Sequence, residues 1–143
     1  MKLNLPAKLS HILIIGTLIF SLASCSKTVR FNNSVVVPGV DGKISLSKDN
    51  NKNNKIEMTV SNLADPGRLT PPKKTYVVWM QTKSDGVKNL GQLVSETGYF
   101  SDARKATFRS VTPFQPVLFF VTAEDDASVS SPGTQTVLTT DKF

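Results

Sequence analysis

The sequence predicts an all-β domain, an immunoglobulin-like antiparallel β-sandwich of seven to eight strands, with a small β-barrel as the alternative. Three features support this fold class. Apolar and polar residues alternate over short segments, which is typical of half-buried strands. Turn residues (Gly, Pro, Asn and Asp) separate these segments at intervals of roughly ten residues. After residue 34, no segment shows the 3.6-residue apolar period of an amphipathic helix.

The first predicted strands lie between residues 35 and 60. The run Val35–Val37 is β-branched and precedes a Pro-Gly turn, and Lys43–Ser47 alternates apolar and polar residues. A polar loop, Asp49–Asn54, follows. Lys55–Val60 then alternates regularly, so one strand face carries Ile56, Met58 and Val60.

The middle of the chain contains the most apolar strand. Thr75–Thr82 is apolar on both faces, which predicts a central strand. Alternation puts Val77 and Trp79 on one face and Tyr76, Val78 and Met80 on the other. The next strand is predicted over Asn89–Val94, with Gly91 marking a bulge or a close-packing point.

Three further strands complete the predicted domain, which extends over residues 35–143. Ala106–Val111 alternates, Val117–Ala123 is a second fully apolar run, and Gln135–Thr139 closes the sandwich. A chain of this length is sufficient for one domain with its own core. Its single cysteine excludes intrachain disulfides.

Residues 1–24 are predicted to be a secretory signal peptide that is removed from the mature protein. Lys2 and Lys8 supply its positive region, and residues 12–20 supply its apolar region. This apolar run is too short to cross a bilayer core of about 30 Å as a helix. A cleaved signal therefore explains the segment better than a permanent transmembrane anchor.

The segment Leu22-Ala23-Ser24-Cys25 resembles the lipobox of bacterial lipoproteins. The resemblance implies that the Cys25 thiol accepts a diacylglycerol, that cleavage precedes Cys25, and that acyl chains attach the protein to a membrane. Residues 25–34 are then a lipidated polar tether before the domain. The expected location is the cell envelope, on the outer membrane and facing the periplasm or the surface.

Charge and composition restrict the expected partners. The chain has 17 Lys and Arg against 11 Asp and Glu, a net charge of +6. Loss of Lys2 and Lys8 with the signal lowers this to +4. The basic residues are spread along the sequence and not concentrated in one stripe, so no nucleic-acid partner is predicted.

The residue inventory also restricts the chemistry. The only histidine, His11, lies in the signal, so Ser-His-Asp and Cys-His catalysis and His- or Cys-ligated zinc sites are excluded. No catalytic residue, cofactor or metal site is predicted. The acidic run Glu124–Asp126 leaves a carboxylate hydrolase and a calcium site open, although a solvated turn is the expected structure. Asp49–Asn54 departs from an EF-hand loop because it lacks the required Gly.

The segment from Asn62 to Thr139 contains a series of short motifs: Pro71-Pro72, Tyr76 to Trp79, Asp85-Gly86, Gly91 to Leu93, Val121 to Glu124, and Ser131 to Thr134. In this order they resemble motifs of the extracytoplasmic domain of anti-sigma-K-type factors. Those motifs are a proline-rich turn before a Tyr-x-x-Trp strand, a Gly-containing turn and strand, and a terminal Val-Thr-x-Glu and Ser-x-Pro-x-Gly-type loop. This resemblance implies a β-sandwich domain that lies outside the cytoplasm. This chain shows neither the transmembrane helix nor the sigma-binding domain of that family, so sigma-factor binding does not follow.

These observations predict a non-catalytic envelope lipoprotein that acts through protein–protein contact. The loops Asp49–Asn54, Asp65–Lys74 and Glu124–Gly133 are the candidate recognition surfaces, because sandwich loops cluster at two ends. The alternatives are a sensory or regulatory extracytoplasmic module related to anti-sigma signalling and, ranked last, a carboxylate hydrolase.

Overall fold

A computed structural model describes residues 26–96 and 105–143. The predicted signal peptide and Cys25 lie outside these residues. Within them the chain forms one 3₁₀ turn and no α-helix. It also forms nine strands: β1 (Lys27–Arg30), β2 (Asp41–Lys48), β3 (Asn54–Ser61), β4 (Thr75–Thr82), β5 (Val87–Gln92), β6 (Val94–Glu96), β7 (Lys105–Thr112), β8 (Pro116–Glu124) and β9 (Thr136–Thr139).

The strands form two antiparallel sheets, which confirms the predicted β-sandwich. The five-stranded sheet has the order β1-β2-β3-β7-β6, and the four-stranded sheet has the order β5-β4-β8-β9. Apart from the added edge strand β1, these orders correspond to the A-B-E-D and C′-C-F-G sheets of immunoglobulin-like domains. The described strands do not close into the β-barrel considered as the alternative.

The core lies between the two sheets and follows the predicted alternation. Ile56, Met58 and Val60 of β3 point into it and are at most 1% exposed. On β4 the inward residues are Tyr76, Val78 and Met80. Because the side chains of a strand alternate between faces, Val77 and Trp79 lie on the outer face of the four-stranded sheet.

The predicted tether is wrong over residues 27–31, which belong to the fold. Lys27–Arg30 pairs with β2 as the edge strand β1, and Phe31 beyond it is buried in the core. Gly42 on β2 permits this packing: a Cβ there would lie 2.8 Å from Cδ2 of the Phe31 ring. The folded domain therefore includes residues 27–31, which the prediction placed before its start at residue 35.

Two other strand predictions need correction. Val35–Val37 forms bends and not a strand; Val35 is 94% exposed, and Val37 is buried. The single strand predicted over Asn89–Val94 is two strands, β5 and β6, that belong to different sheets. Gly91 lies at a register shift between β4 and β5, which confirms the predicted bulge.

Strand direction separates the connections into two ends of the sandwich. The N-terminal end contains Ser26, the turns at 49–53, 83–86 and 113–115, and Phe143. The loop end contains the connections 32–40, 62–74 and 125–135. These two names are used below for these sets of residues.

Candidate functional site

Two of the three predicted recognition loops meet at the loop end, and the third lies at the N-terminal end. Lys73 in the β3–β4 loop forms an ion pair with Asp125 in the β8–β9 loop, with 2.7 Å between Nζ and Oδ2. The amide of Lys74 also donates to the carbonyl of Glu124 at 2.9 Å. The polar loop Asp49–Asn54 joins β2 to β3 at the opposite end. The candidate recognition surface is therefore formed by the two loops that meet.

The β8–β9 loop covers part of the outer face of the four-stranded sheet. We call residues 125–135 the cap loop. Asn89 on β5 holds it by donating from Nδ2 to the carbonyls of Ala127 (3.0 Å) and Val129 (2.8 Å). Trp79 lies on this face and is 0% exposed. The loop thus provides a second buried layer outside the main core.

A chain of hydrogen bonds runs through this second layer. Trp79 Nε1 donates to Thr122 Oγ1 at 2.7 Å, and the Thr122 hydroxyl donates to Glu124 Oε1 at 2.5 Å. The amide of Gly133 in the cap loop donates to the same oxygen at 2.7 Å. Thr122 and Glu124 share a face because they are two residues apart on β8. The indole N–H, the Thr122 hydroxyl, the Gly133 amide and Glu124 Oε1 each have a partner in this network, as burial requires.

The burial of Glu124 contradicts the expectation that the three adjacent acids form a solvated turn. Its side chain ends β8 and is only 6% exposed, whereas Asp125 and Asp126 are exposed. A Cβ on Gly133 would lie 2.7 Å from Glu124 Oε2, so the cap loop contacts the carboxylate closely at this point. Trp79, Thr122, Glu124 and Gly133 are therefore joined in one structural network.

The other two acids have separate partners. Ser128 donates its hydroxyl (2.6 Å) and its amide (2.7 Å) to Asp126 Oδ1. These two bonds lower the pKa of Asp126 against a small opposing effect of desolvation, and Lys74 lowers it further. A carboxyl with a depressed pKa stabilises the folded state above its unfolded pKa and loses that effect as the pH falls through the folded value. The turn at Asp126 is thus weakened only in acid, as the Asp126 carboxylate becomes protonated.

The Glu124 network predicts the first mutational result. Glu124→Ala leaves the Thr122 hydroxyl and the Gly133 amide without their acceptor, so we expect a loss of about 1–3 kcal/mol in the free energy of unfolding. Glu124→Gln keeps one acceptor oxygen and should cost less. Urea unfolding followed by far-UV circular dichroism measures the difference.

Asp125→Ala is the matched control. It removes a neighbouring acid whose side chain is 63% exposed in its pair with Lys73, and exposed pairs contribute at most about 1 kcal/mol. Equal destabilisation by Glu124→Ala and Asp125→Ala would show that the buried network contributes nothing specific.

A cleft opens between the loops at the loop end. Its volume is about 650 Å³, and it is lined by residues of three connections: Val35, Val36, Arg68, Leu69, Thr70, Pro71, Thr134, Gln135 and Thr136. Val35 presents an apolar side chain and Arg68 an exposed guanidinium. The cleft therefore combines apolar surface with a positive charge, a combination suited to protein recognition.

Gln135 gives this cleft an unsatisfied acceptor. Its Oε1 is buried and is the only buried side-chain oxygen or nitrogen, among the residues the structure describes, without a hydrogen-bond partner. Its Nε2 makes one long contact of 3.4 Å with the carbonyl of Thr70. Buried acceptors are normally paired, so this unpaired atom is an exception in the wall of the cleft, where it is closed off from solvent.

Sequence reasoning identified the loop that carries Arg68 but did not single out Val35 or Gln135. Val35 belongs to a β-branched run that resembles a strand, and only its place after β1 brings it to the cleft. Gln135 lies at the start of a strand prediction. Neither position has a local sequence signal for binding.

The described residues show no arrangement for metal chemistry. Within 26–96 and 105–143, no three His, Cys, Asp or Glu side chains are close enough together to hold a metal ion. In the same residues no helix has the length and apolarity needed to cross a membrane. Comparison with protein-family models, curated proteins and solved structures finds no match to this chain.

Proposed function

We propose that this protein is a non-catalytic envelope lipoprotein that binds a protein partner through the cleft at its loop end. The lipid anchor is Cys25, on the strength of the lipobox-like segment that precedes it. The single observation that carries the binding proposal is the loop-end cleft, with its exposed Val35 and its exposed Arg68 guanidinium.

The position of Ser26, the residue after the proposed anchor Cys25, supports membrane attachment at one end and binding at the other. Ser26 lies at the N-terminal end, and the cleft lies at the opposite end of strands that are eight or nine residues long. Such strands span about 26–30 Å. A lipid on Cys25 would therefore hold the N-terminal end at the membrane and leave the loop end free for a partner.

The cleft also suggests what the partner presents. Val35 and Pro71 favour an apolar side chain, and Arg68 favours a carboxylate. A protein segment with an apolar residue beside an acidic one satisfies both requirements. The cell envelope supplies such segments on neighbouring membrane proteins.

Substitutions in the cleft test the proposal. Val35→Asp and Arg68→Glu change exposed side chains and should leave the fold intact. Each should reduce crosslinking of the lipidated protein to its envelope partner by about tenfold, the effect of losing a central interface contact. Quantitative crosslinking in intact cells, followed by mass spectrometry, measures the loss.

Val111→Asp provides the matched control. Val111 is also an exposed valine, at 55%, but it lies on β7, away from the cleft. This variant should crosslink like the wild type. If all three variants retain the partner, or if Val111→Asp loses it as well, the cleft is not the recognition surface.

A further inference from the structure

The N-terminal end of the sandwich has almost no spacer before it. Only Ser26 separates Cys25 from the first residue of β1. Two residues of extended chain reach about 7 Å. A lipid on Cys25 would therefore bring this end of the domain into contact with the lipid headgroups, instead of suspending the domain on a flexible tether.

Lysines dominate this end. Lys52 lies in the β2–β3 turn and Lys83 in the β4–β5 turn. The lysines in these turns and chain ends, or within two residues of them, are Lys27, Lys48, Lys52, Lys55, Lys83, Lys88 and Lys142, and all but Lys88 are exposed. They project from four separate connections or chain segments, so together they cover the end.

Few acids offset these lysines. By the same measure, the acids at the N-terminal end are Asp49 and Asp85 in the turns and Asp141 before Lys142. The Asp49 carboxylate already accepts bonds from the amides of Asn51 (2.9 Å) and Asn53 (2.8 Å) and from Asn53 Nδ2 (3.1 Å). At the loop end, by contrast, basic residues are accompanied by Asp41, Asp65, Glu124, Asp125 and Asp126.

Two aromatic rings accompany the lysines. Lys27 Nζ lies 4.6 Å from the centre of the Phe143 ring, and Lys88 Nζ lies 5.0 Å from the centre of the Phe114 ring. Phe114 is 37% exposed at the tip of the β7–β8 turn. Basic and aromatic residues side by side are the composition of surfaces that bind at the headgroup level of a bilayer.

We propose that the N-terminal end is a docking surface for an anionic lipid surface, and that it fixes the orientation of the domain on the membrane. This inference rests on the proposed lipid anchor at Cys25. Each lysine close to an anionic surface strengthens binding by about fivefold. Acyl chains and a basic patch together give firmer attachment than either alone.

Energy transfer to a labelled lipid headgroup tests the orientation. The lipidated full chain is reconstituted on the outside of vesicles of phosphatidylcholine, with or without phosphatidylglycerol. A donor dye is placed on Ser84→Cys at the N-terminal end or on Ser130→Cys at the loop end. On anionic vesicles, transfer from residue 84 should exceed transfer from residue 130 by about twofold or more, because the two ends are about 26 Å apart.

Charge variants show whether the lysines of the N-terminal end fix the orientation of the domain. The triple variant Lys48→Gln, Lys52→Gln and Lys142→Gln should weaken docking by about 100-fold and abolish the difference between the two dyes. High salt should do the same. The matched triple variant Lys43→Gln, Lys74→Gln and Lys105→Gln removes as many charges from the loop end and should preserve the difference.

Flotation with neutral vesicles tests the lipid anchor by itself, because these vesicles lack the anionic lipid that the lysines would bind. Protein that floats with neutral vesicles but shows equal transfer from both dyes on anionic vesicles would overturn the docking surface and leave the anchor intact. Protein that floats only with anionic vesicles, with residue 84 closer to the lipid, would contradict the anchor and support the lysine surface.

Discussion

Trp79→Ala is expected to lower the free energy of unfolding by about 3–5 kcal/mol, a large share of the 5–15 kcal/mol available to a typical domain. The indole is 0% exposed, and its ring stacks on Phe120 with 6.1 Å between ring centres. Truncation leaves a cavity under the cap loop and removes the donor to Thr122. Urea unfolding followed by far-UV circular dichroism measures the loss.

Two further variants separate packing from hydrogen bonding. Trp79→Phe keeps an aromatic ring but removes the N–H donor, so it should cost clearly less than Trp79→Ala. Phe114→Ala truncates an aromatic ring that is 37% exposed and should cost about 1 kcal/mol or less. In the unmodified protein, Trp79 emission should be blue-shifted and poorly quenched by iodide. A red-shifted, readily quenched emission would show that the cap loop does not cover the indole.

The strands with strong alternation were predictable from the sequence. β3 and β4 begin and end within one residue of their predicted bounds. Alternating or continuous apolar residues between turn residues are compatible with few structures other than a strand. The two faces of β4 also followed from alternation alone. The burial of Trp79 could not be predicted in this way, because alternation assigns a side chain to a face of the sheet but does not show what covers that face.

The elements that the sequence failed to predict depend on contacts between distant residues. β1 is short and polar, and it is held by pairing with β2 and by the Phe31 ring over Gly42. Val35–Val37 has high β propensity, yet no strand partner is adjacent to it. Propensity is overridden in both places by the tertiary position of the segment.

The candidate site was predictable only in outline. Clustering of loops at the ends of a sandwich indicated where recognition would occur, and two of the three loops meet as a result. The burial of Glu124 was missed because an acidic run reads as solvated surface. The alternation of Thr122 and Glu124 on one strand face was a local signal for the network, but its third member, Gly133, is brought in only by the fold.

Cys25→Ala has the other large expected effect, the complete loss of the lipid anchor. The thiol is the atom that would accept the lipid, and no other cysteine can replace it. The variant should accumulate as uncleaved precursor or leave the membrane as soluble protein. Ser26→Ala changes the residue that follows Cys25. This variant keeps the thiol and should be processed as the wild type.

The central claim, that this chain is a lipid-anchored envelope protein, is tested most directly by the mass of its mature N-terminus. Intact and peptide mass spectrometry of membrane-extracted protein should find Cys25 as the first residue, carrying two or more acyl chains, because a single chain gives only reversible attachment. The same preparation of Cys25→Ala should contain no acylated species. A mature wild-type protein that begins elsewhere or carries no acyl chain, or a Cys25→Ala variant that is cleaved and membrane-bound like the wild type, would contradict the account.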